Sequence, residues 1–225
     1  MAKNAAVLFD LDGTLIDSAE AIVESFGAAF AHFGEAPPDM RAITKAIGRP
    51  LQAMFAAFGV SEAQIQSYVE RYKERYREIC LEKTSLLTGA KEALALLKPL
   101  TKIGVVTTKT TSFSKEILTH LGAAQYIDAI VGFEEVKNPK PHPEPILLAL
   151  KRLRVSRRII AGDLEKSEIF MVGDTPIDIN AALNANVTPI GLLCGYAEKE
   201  DFAPFNCAVY ENALEAAKAI AVVLA

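Results

Sequence analysis

The sequence is poor in several features that mark particular classes of protein. Its three cysteines, Cys80, Cys194 and Cys207, are odd in number and widely spaced, which argues against a disulfide framework or a zinc site. No apolar run is long enough to span a bilayer, and no secretory signal precedes the first predicted strand. We therefore expect a protein of the reducing cytoplasm without a membrane partner.

A concentration of positive charge is also lacking. The chain carries 24 Lys and Arg against 28 Asp and Glu, a formal charge of -4, and no basic block interrupts it. This balance argues against a nucleic-acid partner. Internal repeats and low-complexity segments are absent as well. The 225 residues are 51% hydrophobic, which is ample for the core of one domain or two small ones.

The most informative stretch is residues 10–18, DLDGTLIDS, which follows the apolar run AAVLF at residues 5–9. A run that is short and apolar throughout predicts a strand buried on both faces of a parallel sheet. Asp10 and Asp12 would then lie at its C-terminal end, where open α/β sheets bind their ligands. Gly13 permits a sharp turn whose backbone amides are open to an anion.

Two neighbouring carboxylates on a hydrophobic sheet repel each other and lose hydration, so we expect a cation beside them. Magnesium fits best, because it takes one or two carboxylates together with water and substrate phosphate. The alternative is that Asp12 and Gly13 form only a turn, and that Asp17 or Ser18 caps the next helix. Capping is compatible with a metal site, but a turn alone leaves the pair Asp10 and Asp12 unexplained.

The pattern after this strand is helical, and from residue 87 it alternates between strands and helices. The predicted helices cover residues 22–33, 40–47, 51–58, 62–81, 90–97 and 112–121, with an alanine-rich helix from 213. Further strands are predicted at 102–106, 129–132, 169–172 and 189–193. This order predicts an α/β fold with a doubly wound parallel (Rossmann-like) sheet. We assign residues 1–16 and 88–225 to the core domain and residues 17–87 to an inserted all-helical domain.

Three tyrosines recur every four residues in the longest predicted helix, at Tyr68, Tyr72 and Tyr76. This spacing places them on one face, which indicates core packing rather than a ligand site. The many charged residues between them are expected to form a solvated face.

Polar side chains also follow other predicted strands. Thr107 and Thr108 end the second strand and Asp174 ends the fourth. Neighbouring strand ends of such a sheet converge on one crevice, so we expect these residues beside the acids of the 10–18 stretch. Asp174 is best explained as a metal ligand. Asp178, one turn into the following helix, is either a further ligand or an acid that favours the helix dipole.

Lys140 lies in a proline-rich loop, NPKPHPEP, at residues 138–145. Alternating prolines fix the backbone, which suits a lysine that must be aimed at a site. The loop alone fits an exposed lysine in a rigid surface turn equally well. The acids across the predicted crevice favour the first interpretation, because a phosphoryl group bound beside them needs a cation.

In order and strand context, these residues resemble the four motifs of the haloacid dehalogenase superfamily, namely DLDGT at 10–14, Thr107, Lys140, and Gly173-Asp174 with Asp178. The helical insertion is similar to the cap domain of the branch that contains phosphoglycolate phosphatase and β-phosphoglucomutase. We name residues 17–87 the cap segment.

Within that branch, the stretches 107–109, 140–145 and 191–196 are most similar to phosphoglycolate phosphatases. Three features depart from the pattern. Thr108 stands where asparagine is expected, Asn186 replaces a glycine, and residues 154–167 look longer and more basic than usual. These departures leave the chemistry intact and bear on the choice of substrate.

The resemblance implies phosphate-ester hydrolysis with Mg²⁺ as cofactor. Asp10 is the expected nucleophile, which forms an aspartyl-phosphate. Asp12 is expected to protonate the leaving oxygen and then to take a proton from the attacking water. Thr107 and Lys140 would bind the phosphoryl oxygens.

The expected magnesium ligands are Asp10, Asp174 and the backbone carbonyl of Asp12, with Asp178 a direct or an indirect ligand. Candidate substrate-binding residues beside them are Gly13, Thr108 and Lys109.

Specificity is expected from the cap segment, because the crevice recognises only phosphate. The loop IGRP at residues 47–50 joins two predicted helices and is the best candidate to face the site. Gly48 and Arg49 are its proposed substrate-binding residues. Arg49 could meet a carboxylate or a second phosphate, or it could be a solvated arginine at a helix end.

The expected function is therefore a phosphatase for a small phosphorylated metabolite, most similar to phosphoglycolate phosphatase. A phosphomutase like β-phosphoglucomutase, or a pyrophosphatase, would use the same residues. A dehalogenase would work without metal, which the pair Asp12 and Asp174 argues against. A catalytically silent binding protein would usually have lost one motif residue, and none is missing. The chain is expected to be a monomer or a homodimer.

Overall fold

The structure is a computed structural model that describes residues 5–155 and 168–225. In chain order its strands are β1 (Ala6–Phe9), β2 (Ile16–Asp17), β3 (Ser85–Leu86), β4 (Lys102–Val106), β5 (Ala129–Val131), β6 (Ile169–Gly173), β7 (Thr188–Leu192) and β8 (Ala208–Tyr210). Six of them form a parallel sheet in the order β5-β4-β1-β6-β7-β8, and β2 pairs with β3. The predicted α/β fold with its parallel sheet is confirmed.

β1 lies inside the sheet, between β4 and β6. Phe9 pairs with Val105 of β4 and with Val172 of β6. The residues that follow these three strands therefore leave the sheet at the same edge, as predicted. The Asp10 amide donates to the Val172 carbonyl at 2.9 Å, so the backbone of the first acid is still held by the sheet.

Helices cover both faces of this sheet. In chain order the helices of the described residues are α1 (Ala19–His32), α2 (Met40–Ala46), α3 (Leu51–Ala57), α4 (Glu62–Ile79), α5 (Ala90–Leu97), α6 (Thr111–His120), α7 (Glu144–Leu153), α8 (Pro176–Asn184) and α9 (Ala213–Leu224), and α5 to α9 pack on the sheet. Val7 and Phe9 of β1 join an apolar cluster with α5, α6 and α9, whereas Ala6 and Leu8 join one with α7 and α8. Alternate residues of the strand thus face opposite helical layers.

The cap segment contains α1 to α4, as the helical periodicity predicted. An aromatic cluster holds these helices together, with ring centroids 4.6 Å apart for Phe26 and Phe55 and 5.2 Å apart for Phe30 and Tyr68. The short β2–β3 pair lies where the segment meets the rest of the chain. This pair was not predicted from the sequence, because two-residue strands have no periodicity. The boundaries of the two domains stay a prediction.

Two departures from the family pattern fall in different parts of the chain. Asn186 has a φ of 52°, a left-handed conformation that asparagine tolerates better than most residues. Asparagine can therefore adopt the backbone conformation for which a glycine was expected. Of the unusual stretch 154–167, residues 156–167 lie outside the described part of the chain.

Two further observations concern the whole described chain. Cys80, Cys194 and Cys207 are free thiols. Among residues 5–155 and 168–225, no helix combines the length and the apolar character needed to cross a membrane.

Candidate active site

Three acidic side chains meet at the carboxyl edge of the sheet. Asp10 follows β1, Asp174 follows β6, and Asp178 lies in the first turn of α8. One oxygen from each lies within 4.8 Å of the others, and each residue is at most 2% exposed. We name these three residues the carboxylate cluster. It joins three of the four predicted metal-binding residues, whereas the Asp12 carboxylate lies outside it.

Glycine backbones approach this cluster more closely than other residues could. A Cβ atom at Gly13 would lie 2.3 Å from Asp174 Oδ2, and one at Gly195 would lie 2.1 Å from the same oxygen. The Gly13 amide donates to the Ile16 carbonyl at 2.8 Å. The turn after β1 thus uses the Gly13 amide internally, and for this one amide the expectation of an open anion site is wrong.

Hydroxyl and amide groups donate hydrogen bonds to Asp174 and Asp178 of the cluster. Asp174 accepts hydrogen bonds from Thr14 Oγ1 at 2.8 Å and from the Tyr196 amide at 2.9 Å. Asp178 Oδ2 accepts from the amide and the hydroxyl of Thr175, at 3.1 and 2.7 Å. Asp178 thus caps α8 with one oxygen while the other faces the cluster, so the capping and ligand roles are compatible.

Lys140 enters the cluster from the proline-rich loop. Its Nζ lies 2.9 Å from Asp10 Oδ1 and 2.6 Å from Asp178 Oδ1, and its side chain is 1% exposed. The alternative of an exposed lysine in a surface turn is therefore wrong. Burial opposes the charge, but the nearby carboxylates of Asp10 and Asp178 raise the pKa of Lys140 above its ordinary value. The residue is a buried ammonium.

One ammonium does not balance three buried carboxylates. Burial raises the pKa of Asp10 well above its ordinary value, although Lys140 acts in the opposite direction. Burial together with the charge of Asp178 raises the pKa of Asp174 to about 7. The ionised form of the cluster is thus disfavoured by its surroundings, and a further cation would stabilise it.

The cluster fits a magnesium ion on two observations. All of its donors are oxygen atoms, which this ion prefers. Asp10 Oδ1 is buried, and its polar contact is the Lys140 ammonium at 2.9 Å. A carboxylate oxygen with one such contact keeps a second lone pair for a metal. The proposed contribution of the Asp12 carbonyl stays a prediction.

The Asp12 carboxylate has partners other than those of the cluster. Its Oδ1 lies 3.2 Å from Lys109 Nζ and accepts a hydrogen bond from Ser18 Oγ. No hydrogen bond within the described residues occupies Oδ2. Ser18 occupies the N-cap position of α1, but its side chain makes no capping bond. The capping hydrogen bond is made instead by Asp17, whose Oδ1 accepts from the Ala19 amide at 3.1 Å.

Lys109 joins the sheet edge to the cap segment. Its Nζ donates to the Tyr76 hydroxyl at 2.8 Å and lies 4.4 Å from the centroid of that ring. Its amide donates to Thr107 Oγ1 at 3.1 Å, so this hydroxyl lies beside the lysine at the end of β4. Although burial opposes the charge, Asp12 raises the pKa of Lys109. Lys109 is therefore an ammonium held between Asp12 and Tyr76.

A cavity of about 80 Å³ separates the sheet edge from the cap segment. Asp12, Thr108 and Lys109 line it on the sheet side, and Gly48 and Arg49 line it on the cap side. These five residues were all proposed from the sequence, and the structure brings them together. Their binding of substrate stays a prediction.

Other residues of the cavity wall were not predicted from the sequence. They include Gln52, Tyr72, Lys73 and Tyr76. Tyr76 is 1% exposed, so its interpretation as a core residue was correct but incomplete, because the same side chain also contacts Lys109. Helical spacing reveals which face a residue occupies, but it does not reveal what that face meets.

Comparisons with known proteins agree with this geometry. The family model described as haloacid dehalogenase-like hydrolase matches residues 7–192. Phosphoglycolate phosphatase of Yersinia pseudotuberculosis is 34% identical over 197 residues, covering 84% of this chain and 81% of that protein. Pyrophosphatase PpaX of Bacillus velezensis is 32% identical over 191 residues, covering 83% of this chain and 82% of that protein.

The structural comparison gives the same result. A haloacid dehalogenase-like family hydrolase from Streptococcus pneumoniae matches with a TM-score of 0.82 at 26% identity, covering 96% of this chain and 97% of that one. The match extends over nearly the whole of both chains, so it includes the cap segment as well as the sheet. The chain belongs to the haloacid dehalogenase-like hydrolase family, as an enzyme of the phosphatase type.

Proposed function

We propose that this chain is a magnesium-dependent phosphatase that hydrolyses a small phosphate monoester through an aspartyl-phosphate intermediate. One observation carries the proposal, namely the contact of Lys140 with Asp10 inside the carboxylate cluster. The proposed nucleophile, the cation for the phosphoryl group and the metal site therefore lie together at the carboxyl edge of the sheet. Catalysis of phosphoryl transfer relies on positioning and on positive charge around the transferred group, and these three elements would supply both.

Asp10 is the proposed nucleophile. Its carboxylate oxygen attacks phosphorus, the bond from phosphorus to the leaving oxygen breaks, and the phosphoryl group stays on Asp10. The attack needs an ionised carboxylate, and Lys140 at 2.9 Å favours that form. Bound by Asp10, Asp174 and Asp178, magnesium would add positive charge that favours the ionised nucleophile and offsets the charge of the phosphoryl oxygens.

Asp12 is the proposed acid and base. It protonates the leaving oxygen as the ester bond breaks, and it then takes a proton from the water that hydrolyses the aspartyl-phosphate. Oδ2 is the suitable atom, because Lys109 and Ser18 both contact Oδ1. Thr107 and Lys140 would bind the phosphoryl oxygens during both steps.

Phosphoglycolate is the proposed substrate, and pyrophosphate is the second candidate. The resemblance of residues 107–109, 140–145 and 191–196 supports the first, and a relative named for each activity supports both. Arg49 and Lys73 place two cations on the cap side of the cavity. Either candidate would present a second anionic group to them.

The proposed setting follows from the same substrates. We place the enzyme in the cytoplasm, because small phosphorylated metabolites are found there. It would act there as a monomer or a homodimer, without nucleic acid or membrane.

Phosphate release from a panel of esters tests the proposal. The panel contains phosphoglycolate, pyrophosphate, hexose phosphates and nucleoside monophosphates, each with magnesium and with a chelator. We expect metal-dependent release that is fastest for phosphoglycolate, and a loss on the order of 10³-fold or more in Asp10→Asn. Asp201→Asn, which alters an exposed aspartate outside the cluster and the cavity wall, should keep full activity.

A covalent readout makes the test sharper. Rapid quenching should trap one phosphoryl group on the wild-type chain by mass, and none on Asp10→Asn. Substantial turnover by folded Asp10→Asn would remove Asp10 as the nucleophile. Interconversion of hexose phosphates without phosphate release would favour a mutase, and failure to process any ester would favour a binding protein.

A further inference from the structure

We propose that Tyr76 of the cap segment is a positioning residue that acts through Lys109 on Asp12. The inference rests on the proposed function, because it concerns the proton that Asp12 gives to the leaving group. Three groups form one line of contacts: the Tyr76 hydroxyl accepts from Lys109 Nζ at 2.8 Å, and that Nζ lies 3.2 Å from Asp12 Oδ1.

The side chain of Lys109 needs such a partner to stay in place. A lysine is a point charge on a flexible stem with several rotatable bonds, and fixing that stem loses rotamer entropy. Tyr76 offers Lys109 a hydroxyl acceptor at 2.8 Å, with the ammonium 4.4 Å from the ring centroid on the hydroxyl side. The hydroxyl selects one direction for the ammonium, which an apolar wall could not do.

Tyr76 is itself held firmly. Its ring stacks on Tyr72, with centroids 5.5 Å apart and planes 11° from parallel. A second ring contact is the T-shaped pair with Phe113 in α6, with centroids 5.2 Å apart and planes at 85°. The residue is therefore fixed between α4 of the cap segment and a helix that packs on the sheet. A fixed acceptor transmits its position to Lys109.

The consequence for Asp12 is the choice between its two oxygens. Lys109 and Ser18 both contact Oδ1, so the carboxyl group is oriented with Oδ2 free for the leaving oxygen. Acid catalysis requires that atom within hydrogen-bond reach of the group it protonates, and small misplacements lower the rate strongly. Because Tyr76 belongs to α4, Asp12 is fully oriented only while α4 lies against the sheet edge.

Leaving-group dependence distinguishes this role from simple packing. The variants are Tyr76→Phe, Lys109→Met and the double variant. For each of them kcat/KM is measured, because this parameter reports formation of the aspartyl-phosphate. The two substrates are an alkyl phosphate, whose leaving group needs a proton, and 4-nitrophenyl phosphate, whose leaving group departs without one. Tyr68→Phe is the matched control, since Tyr68 is a buried tyrosine of the same helix that does not line the cavity.

We expect Tyr76→Phe to lower kcat/KM about tenfold for the alkyl ester and less than about twofold for the aryl ester. Lys109→Met should show a larger loss of the same kind, and the double variant should match it within about twofold, because Tyr76 acts through Lys109. Tyr68→Phe should leave the ratio of the two esters unchanged. Equal losses on both esters, or additive losses in the double variant, would overturn the inference.

A second readout needs no turnover. Acetylation of Lys109 by a soluble ester reagent, followed by peptide mass spectrometry, should be several-fold faster in Tyr76→Phe than in the wild type. Lys98, a partly exposed lysine that pairs with Asp128, serves as the internal reference. An unchanged rate at Lys109 would overturn the inference even if ester hydrolysis were normal, whereas a faster rate in a chain that hydrolyses no ester would point to failure of the proposed function instead.

Discussion

The two buried lysines of the site are held by different parts of the molecule. Lys140 contacts Asp10 and Asp178, both at the carboxyl edge of the sheet. Lys109 contacts Asp12 at that edge but also Tyr76 of the cap segment. The side chain of Lys140 is 1% exposed, and that of Lys109 is 9% exposed and lines the cavity.

This difference divides the site into two halves with separate tasks. The carboxylate cluster and Lys140 are complete within the sheet and the loops that leave it, so the proposed phosphoryl chemistry does not need the cap segment for its groups. The cavity wall is shared between the two parts of the chain. Substitutions in the first half should therefore affect every ester, whereas substitutions in the second should affect some esters and spare others.

Among the tests of this division, the largest expected effect comes from Lys140→Met. Removal of this ammonium leaves Asp10 and Asp178 without their cation and the phosphoryl group without a partner. We expect kcat/KM to fall about 10²–10³-fold for every ester, measured by phosphate release. Lys98→Met removes a lysine from a surface ion pair with Asp128 and should be nearly silent. A loss below about tenfold, or one confined to some esters, would contradict the division into halves.

The next effect concerns stability without metal. The pKa of Asp174 is raised from 3.8 to about 7 by burial and by Asp178, and that of Asp10 is raised as well. Between about pH 4 and about pH 7 the folded chain therefore binds more protons than the unfolded chain. The free energy of unfolding should fall as the pH rises through this range. The loss should be on the order of a few kcal/mol.

Urea unfolding in a chelator at several pH values measures this dependence. Magnesium should stabilise the wild type much more at pH values above this range than within it, because only the ionised cluster binds the ion. Asp174→Asn should flatten the profile. A stability that stays level across this range in the wild type would mean that the cluster has another counter-ion.

The cluster half of the site was predictable from the sequence for a physical reason. Strands buried on both faces are short apolar runs, so the first charged residue after each run marks a strand end, as at Asp10 and Asp174. Parallel strands place these ends at one edge. The proline-rich loop around Lys140 became informative only in combination with these acids.

The cavity half was less predictable. The contact of Tyr76 with Lys109 joins a helix to a strand end 33 residues away, and no local pattern encodes it. Ser18 occupies a helix start, where its usual role is capping, and its contact with Asp12 depends on the turn between them. The edge strand β8 was missed because it has only three residues and is partly exposed.

Arg49→Ala tests the cavity half directly. Arg49 lines the cavity on the cap side and would pair with a second anionic group of the substrate. We expect KM to rise about tenfold for an ester that carries such a group, with kcat nearly unchanged and with no effect on an ester whose body is neutral. Arg41→Ala, at an exposed arginine of α2 that is not part of the cavity wall, is the control. A fall in kcat for all esters would instead assign Arg49 a role in the phosphoryl chemistry, together with the carboxylate cluster and Lys140.

The smallest expected effect tests whether the cap side of the cavity contacts the carboxylate cluster. Gly48 and Gly59 both have positive φ, 98° and 88°, but a Cβ at Gly48 would lie 3.3 Å from Thr175 Cγ2, and one at Gly59 would meet nothing within 4 Å. Alanine at either position should lower the free energy of unfolding by about 1 kcal/mol, because L residues disfavour this backbone. Only Gly48→Ala should also displace Thr175, which holds Asp178, and raise the magnesium concentration for half-maximal activity by about two- to threefold. Equal stability losses with an unchanged magnesium requirement would show that the cap loop leaves the cluster undisturbed.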